Sequence, residues 1–266
     1  TGAKSTDWMD PLNWDRGRNP VLTDTILVNA LGDGANYPTL GGGVFAFEQI
    51  SVGSGASFTL DACDLTISNK LTVAGTLVFA GAERLRLVRD ADFTDGQVVK
   101  GGSTVSLEGG DSQIVDFDGV VLRCLNIAKP GGVVVMNGDL TASILRCDAA
   151  SPLELQFAEG VTFDIADLYL NGGTKNLTLR GIETGGSWKL KATADNQCVS
   201  GVKVSGCTAT GATIYAGQNS SDEGGNVNWD FAAETAVWLG GSGDWTDTSH
   251  WSLGAVPSAG TQVMLN

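Results

Sequence analysis

One short segment occurs twice in this chain, once near each end. The first copy reads TDWMDPLNWDRGRNPVLTDTILVN (6–29) and the second reads GDWTDTSHWSLGAVPSAGTQVMLN (243–266). A constant shift of the numbering by 237 superposes three landmarks: Trp8 on Trp245, Trp14 on Trp251, and Pro20 on Pro257. Because these landmarks recur in one register, we expect one complete unit followed by the opening of the next.

The repeat divides the chain into three predicted parts. Residues 1–29 are expected to be an N-terminal capping segment that contains two tryptophans. Residues 30–237 are expected to form the body of the unit, and residues 238–266 the start of a second unit or a junction between units.

Composition favours an all-β fold. The chain has 37 glycines and only 17% charged residues, which suits many short strands joined by tight turns. Apolar residues alternate in short runs separated by Gly, Asn, Asp and Ser, and no run sustains the i, i+3, i+4 pattern of an amphipathic helix. We therefore expect helix to be nearly absent.

A second, shorter period runs through the body of the unit. Apolar pairs recur at a nearly constant step at Ile50/Val52 and Leu71/Val73, and again at Leu125/Ile127, Leu145/Cys147 and Leu168/Leu170. A second column advances by similar steps through Val133/Val135, Leu153/Leu155 and Leu177/Leu179. Such columns indicate a chain that returns to the same lateral position one strand layer further along.

This repetition predicts a right-handed parallel β-helix, a β-solenoid whose inward side chains are covered only when the next turn stacks on them. A β-sandwich or jelly roll is the alternative. Antiparallel hairpins give similar alternation, but they do not demand a fixed step of about 20 residues.

Several segments resemble the repeat modules of large bacterial cell-surface or secreted β-helix proteins, which are autotransporter-like or adhesin-like stalks. They include W-x5-W-x2-G-x2-P (8–20), YPTLGGG (37–43), LTVAGTLVFAG (71–81), VVLRCLNIAKPGGVVVMNGDLT (120–141) and SSDEGGNVNWDF (220–231). The resemblance implies an extracellular location at a bacterial surface and a role as stalk, sheath, filament or adhesin. The AKST sequence before Trp8 departs from VWLGGSGD before Trp245, so the first unit is expected to begin differently.

The tryptophans support two interpretations. Exposed indoles can stack on sugars, which would make the chain a carbohydrate-binding module. We favour capping: Trp8, Trp14, Trp245 and Trp251 lie in a segment that opens a unit, where the first turn would otherwise leave an apolar face and a strand edge uncovered. Trp229 is expected to seal the last turn of the body, and Trp188 to face inward from a strand.

Some parallel β-helices act on polysaccharides, so an enzyme is the runner-up. Two carboxylate pairs have the i, i+2 spacing that places both groups on one side of a strand: Asp116 with Asp118, and Asp90 with Asp92. Carboxylates in solvated turns beside glycine are far commoner than catalytic pairs. We expect no catalytic residue and no enzymatic activity.

Metal, cofactor and disulfide chemistry have little support in the sequence. The lone histidine, His250, nearly excludes a histidine-based metal or triad site. Acidic turns at 33–36 and 222–226 allow only an incidental Ca²⁺, and no cofactor is expected. The five cysteines are expected to be buried thiols, with Cys198–Cys207 the one disulfide considered.

Charge limits the partners. A net charge of −14 disfavours binding to nucleic acid or to an anionic membrane, and no apolar run is long enough to indicate insertion into a bilayer. The expected partners are other copies or adjacent units, joined head to tail, and surface glycans. A non-enzymatic structural module is therefore the favoured function.

Overall fold

The structure of the chain is a computed structural model, and it describes residues 4–32, 36–174, 176–192, 197–231, 235–239, 241–251, 254–258 and 261–265. It is an all-β solenoid of about 9 turns, with 54% strand and 2% helix. The all-β class and the parallel stacking of strands are confirmed.

The described residues contain 24 strands and two short 3-10 helices. The helices are η1 (Pro11–Asn13) and η2 (Thr248–His250). The strands are β1 (Thr25–Val28), β2 (Thr39–Val52), β3 (Ser57–Val73), β4 (Thr76–Phe79), β5 (Arg84–Leu87), β6 (Ala91–Asp92), β7 (Gln97–Val99), β8 (Thr104–Leu107), β9 (Gln113–Asp116), β10 (Val120–Ile127), β11 (Gly132–Asn137), β12 (Leu140–Asp148), β13 (Leu153–Phe157), β14 (Thr162–Asn171), β15 (Leu177–Gly181), β16 (Trp188–Ala192), β17 (Gln197–Ser200), β18 (Val202–Val204), β19 (Cys207–Gly211), β20 (Ile214–Tyr215), β21 (Ser221–Asp222), β22 (Trp229–Asp230), β23 (Thr235–Trp238) and β24 (Gln262–Leu265).

Each turn contributes to three stacked faces. In the turn 76–92, β4 pairs with β3 and β7, β5 pairs with β3 and β8, and β6 pairs with β3 and β9. All of these pairings are parallel. Longer strands such as β3 turn two corners and therefore take part in all three faces. The inward side chains of these faces form one continuous apolar core.

The first predicted column is confirmed. Ile50 pairs with Leu71, and Leu125, Leu145 and Leu168 follow one another in register on the stacked strands β10, β12 and β14. All five side chains are buried. Burying such side chains stabilises each turn only when its neighbour is present, which makes the stacking cooperative.

The second predicted column is wrong by one residue in β11. Val134, not Val133 or Val135, faces inward and pairs with Leu155, while Gly132 pairs with Leu153. A run of three valines has no polar residue to mark which side faces water, and a shift of one residue exchanges the two faces of a strand. The rest of the column is in the expected register, since Leu153 and Leu155 pair with Leu177 and Leu179.

The disulfide considered between Cys198 and Cys207 is not formed, and all five cysteines are free thiols. Cys198 pairs with Tyr169, whereas Cys207 pairs with Trp188 on a different face of the solenoid. Burial raises the pKa of Cys147 and of Cys207 to about 12, so both thiols are protonated at neutral pH.

A buried lysine links two turns. The Lys129 ammonium donates hydrogen bonds to the carbonyl oxygens of Gly109 (2.9 Å) and Asp111 (2.8 Å) and is 4% exposed. Burial lowers the pKa of Lys129 because it disfavours the charged form.

The described residues contain no helix long and apolar enough to cross a membrane.

Candidate interface at the repeated tryptophan segment

Where the structure describes both copies of the repeated segment, they have the same local fold. We call residues 6–29 the N-terminal copy and residues 243–265 the C-terminal copy. In each, an aspartate caps a 3-10 helix: Asp10 accepts a hydrogen bond from the Leu12 amide, and Asp247 accepts one from the Ser249 amide, both at 2.9 Å. The backbone angles of the two aspartates are nearly identical, at φ −80°, ψ 109° and φ −81°, ψ 110°.

The tryptophan pairs are also equivalent. The Trp8 and Trp14 rings meet edge to face at 4.7 Å and 69°, and those of Trp245 and Trp251 at 4.6 Å and 72°. The Trp14 indole donates to the Trp8 carbonyl (2.9 Å), and the Trp251 indole donates to the Trp245 carbonyl (2.8 Å). The repetition in sequence therefore encodes one structural element made twice.

The turn that follows each second tryptophan is shared as well. Gly17 and Gly254 have φ of 61° and 62°, the left-handed region that glycine adopts without strain, and their amides donate to the carbonyls of Trp14 and Trp251. Pro20 and Pro257 lie after this turn and are half-buried. The last residue of the sequence repeat, Asn266, lies outside the described residues.

The N-terminal copy covers the first turn of the solenoid through Trp8. Its ring lies 5.4 Å from that of Phe47 and 5.2 Å from that of Phe58, and it is 2% exposed. The backbone joins the same turn, since the Trp8 amide donates to the Thr39 carbonyl at 3.3 Å. We call this side of the segment, with Trp8 and Val28, the inner face.

The inner face of the C-terminal copy is uncovered. Trp245, which is equivalent to Trp8, is 47% exposed, and Leu265, which is equivalent to Val28, is 67% exposed, whereas Val28 itself is 5% exposed. Since the local folds agree, the difference comes from what packs on each copy. The N-terminal copy has a solenoid turn on its inner face, and among the described residues none covers the C-terminal copy in that way.

The opposite side, which we call the outer face, shows the reverse arrangement. In the C-terminal copy Trp251 is 1% exposed, and its ring meets that of Trp238 at 5.0 Å. Trp238 also stacks on His250 at 4.6 Å and 9°. Its strand β23 pairs in parallel with β24, so the chain just before the C-terminal copy covers the outer face of that copy.

In the N-terminal copy the outer face borders a cavity of about 480 Å³. Residues from the 3-10 helix, the following turn and β1 line it, among them Asn13, Trp14, Arg18 and the whole of Thr25–Val28. The described residues that line the cavity include none from β2, so it lies on the side of β1 away from the first solenoid turn.

An ion pair closes one wall of the cavity. The Arg18 guanidinium binds both carboxylate oxygens of Asp24 at 2.6 and 2.8 Å, and Arg16 approaches the same group at 3.1 Å. Hydrogen bonding from Arg18 holds the pKa of Asp24 well below its usual range. The C-terminal copy has Ala255 and Thr261 at the positions of Arg18 and Asp24, so this pair belongs to the N-terminal copy alone.

The four candidate catalytic carboxylates each accept a hydrogen bond from a backbone amide or a side-chain amide. Asp90 accepts from the Ile114 amide (2.8 Å), Asp92 from the Thr94 amide (3.0 Å), Asp116 from the Asn137 side chain (2.6 Å) and Asp118 from the Asp95 amide (3.1 Å). Three of these bonds join residues 21 to 24 positions apart, which is one turn of the solenoid. Such carboxylates hold successive turns together.

The body of the unit contains two further tryptophans, Trp188 and Trp229. Trp188 is 1% exposed and stacks on Phe157 at 3.9 Å. Trp229 is half-buried in β22, which pairs with β20 near the C-terminal end of the solenoid, and its ring stacks on Phe231 at 5.7 Å. The tryptophan that sequence reasoning missed is Trp238, because Thr1 stands at the equivalent position before the first copy.

Within the described residues, no cluster of three or more His, Cys, Asp or Glu side chains is arranged to hold a metal ion. The acidic turn at 33–36 lies mostly outside those residues, and in the other turn Asp222 accepts hydrogen bonds from Gly224 and Asn226. Comparisons of the chain with protein-family models, with curated proteins and with solved structures find no match.

Proposed function

We propose that this chain is a non-enzymatic structural module of a bacterial cell-surface protein, which stacks end to end with further units to form a stalk, filament or adhesin. One observation carries the proposal: the same folded segment is covered on its inner face in one copy and uncovered in the other. The side chain of Trp8 is 2% exposed, whereas that of Trp245 is 47% exposed in the same local fold.

The covered copy indicates what fits the uncovered one. Trp8 packs on Phe47 and Phe58, which lie in β2 and β3 at the start of the solenoid, and Thr39 bonds to its backbone. The C-terminal copy carries the same indole and the same strand, so it matches the first turns of another unit of this kind. Covering Trp245 and Leu265 would remove a large apolar surface from water.

The geometry favours a linear product. A contact between the C-terminal copy of one unit and the first turns of the next is head to tail, and such contacts extend into filaments unless a rotation closes them. Stacked repeats also gain stability from each neighbour, which suits a protein that must span distance. Surface glycans are further proposed partners, and an extracellular location is part of the same proposal.

An extended chain tests this stacking. Because residue 266 corresponds to residue 29, residues 1–266 can be followed directly by residues 30–231 without breaking the register. We expect small-angle scattering to show a rigid rod, longer than the single chain by about 40 Å or more, since about nine layers of about 4.8 Å are added. Two bodies that move independently would contradict the proposal.

Activity assays separate the module from the runner-up functions. We expect no depolymerisation of acidic polysaccharides by the 266-residue chain. Cleavage that disappears in the double variant Asp116→Asn, Asp118→Asn would establish an enzyme instead. On a glycan array, binding that is lost in both Trp14→Ala and Trp245→Ala would favour a carbohydrate-binding module over a structural one.

A further inference from the structure

We infer that the cavity beside Trp14 is the receptor for the terminal strand of a preceding unit in the same array, a strand with the sequence and register of Thr235–Trp238. The inference rests on the proposed function, because it names the partner of the outer face in the same array. It assigns a role to a cavity of about 480 Å³ that the repeat of the sequence alone does not reveal.

In the C-terminal copy, the strand Thr235–Trp238 fills the space that is equivalent to the cavity. There, Trp238 contacts Trp251 and His250, the residues equivalent to Trp14 and Asn13. In the N-terminal copy Asn13 and Trp14 both line the cavity. The space that is open beside one copy is therefore the space that Trp238 fills beside the other.

The strand pairing of β1 also supports placing a strand at this cavity. Within the described residues β1 pairs only with β2, so its other edge has unpaired amides and carbonyls. In the C-terminal copy the equivalent strand β24 pairs with β23, with Thr235 opposite Gln262 and Trp238 opposite Leu265. Transferring that register places Thr235 opposite Thr25 and Trp238 opposite Val28. Addition of a strand to an open edge is a common way for a β protein to bind an extended partner.

The two copies differ at one residue that would contact Trp238. This difference predicts which contacts supply the affinity for the strand. His250 stacks on Trp238, but the equivalent Asn13 has an amide side chain that bonds to Ser5 and to the Asp7 carbonyl. The edge-to-face contact with Trp14 and the strand pairing must then supply the binding. Edge-to-face aromatic contacts contribute beyond the area that they bury.

The two copies therefore show complementary halves of one junction. The N-terminal copy has its inner face covered and its outer face open, and the C-terminal copy has its outer face covered and its inner face open. In an array, each repeated segment would lie between the terminal strand of the unit before it and the first turns of the unit after it.

The test attaches the strand to the N-terminus of the same chain, where it can reach the cavity. Residues 1–5 are replaced by residues 230–242, which precede the C-terminal copy in the same register and retain the serine of position 5. We expect hydrogen exchange of the amides of Thr25–Val28 to slow at least about tenfold, because an open strand edge becomes paired. Radical oxidation of Trp14 is expected to fall toward that of the buried Trp8.

A matched variant carries Trp238→Ala in the added strand only. We expect it to lose most of the protection of Trp14 and part of the slower exchange. Unchanged exchange at Thr25–Val28 together with unchanged oxidation of Trp14 would overturn the inference. A rigid rod from the extended chain of residues 1–266 and 30–231 would still support end-to-end stacking, so failure of this inference and failure of the proposed function are distinguishable.

Discussion

Trp8 and Trp245 occupy equivalent positions in two copies of one folded segment, and only Trp8 is covered by a solenoid turn within the part of the chain that the structure describes. Their ring partners within the segment and their carbonyl hydrogen bonds are the same. The two residues therefore form a natural comparison in which local structure is constant and burial differs.

Truncation of these two tryptophans is expected to have unequal effects. Trp8→Ala removes a buried ring from contact with Phe47 and Phe58 and should cost about 3 to 5 kcal/mol of unfolding free energy. Trp245→Ala removes a half-exposed ring and should cost less, about 1 kcal/mol. Urea denaturation of both variants measures the difference, and equal costs would contradict the assignment of the inner face.

The core column can be tested at Leu145, which lies between Leu125 and Leu168. Leu145→Ala should cost about 2 to 5 kcal/mol, because it leaves a cavity between stacked turns. The neighbouring Arg146 is exposed, so Arg146→Ala serves as the control and should stay within about 0.5 kcal/mol of the parent chain. A cost for Leu145→Ala no larger than that of the control would contradict the register.

The buried thiols predict a loss of stability at alkaline pH. Burial raises the pKa of Cys63 to about 11 and of Cys147 and Cys207 to about 12, from 9.0. The unfolded chain releases these protons first, so the stabilising contribution is complete below about pH 9 and is lost as the pH rises toward the folded pKa values. The urea midpoint should therefore fall as the pH rises from about 9 to about 12.

The alkaline effect has a direct control. A double variant, Cys147→Ala with Cys207→Ala, is expected to be less stable at neutral pH but to show a smaller fall of the urea midpoint over the same alkaline range. An equally steep fall in the double variant would assign the effect to other titrating groups.

Exchange of the candidate carboxylates for amides should leave the fold intact. In Asp116→Asn and Asp118→Asn the side chain keeps an oxygen that can accept the bonds from Asn137 and from the Asp95 amide. We expect a change of unfolding free energy below about 1 kcal/mol for each variant. Thermal denaturation of the single variants measures it, with Asp116→Ala and Asp118→Ala as the variants expected to lose these bonds.

The sequence predicts the fold well where apolar and polar residues alternate. The step from Leu125 to Leu145 to Leu168 gives the correct register because each of these leucines is followed by a residue with a polar group, namely Asn126, Arg146 and Tyr169. The run Val133–Val135 gives no such information, and the structure turns Val134 inward. Alternation defines which side of a strand is buried only when the other side is visibly polar.

The sequence predicts only part of the candidate interface. The repeat identifies the two copies and their tryptophans, but it does not tell which faces are covered, since that depends on chain outside the segment. The repeat does not reveal Trp238 because its counterpart is Thr1. The short apolar run within Thr235–Trp238, immediately before the second copy, is the available signal for a strand on its outer face.

Radical oxidation of Trp245 tests the central claim, that the inner face of the C-terminal copy binds the first turns of another unit. In the 266-residue chain Trp245, 47% exposed, should oxidise many times faster than Trp8, 2% exposed. In the extended chain, where residues 30–231 follow residue 266, the account predicts that oxidation of Trp245 falls to the level of Trp8. Equal reactivity of Trp245 in the single and the extended chain would contradict it.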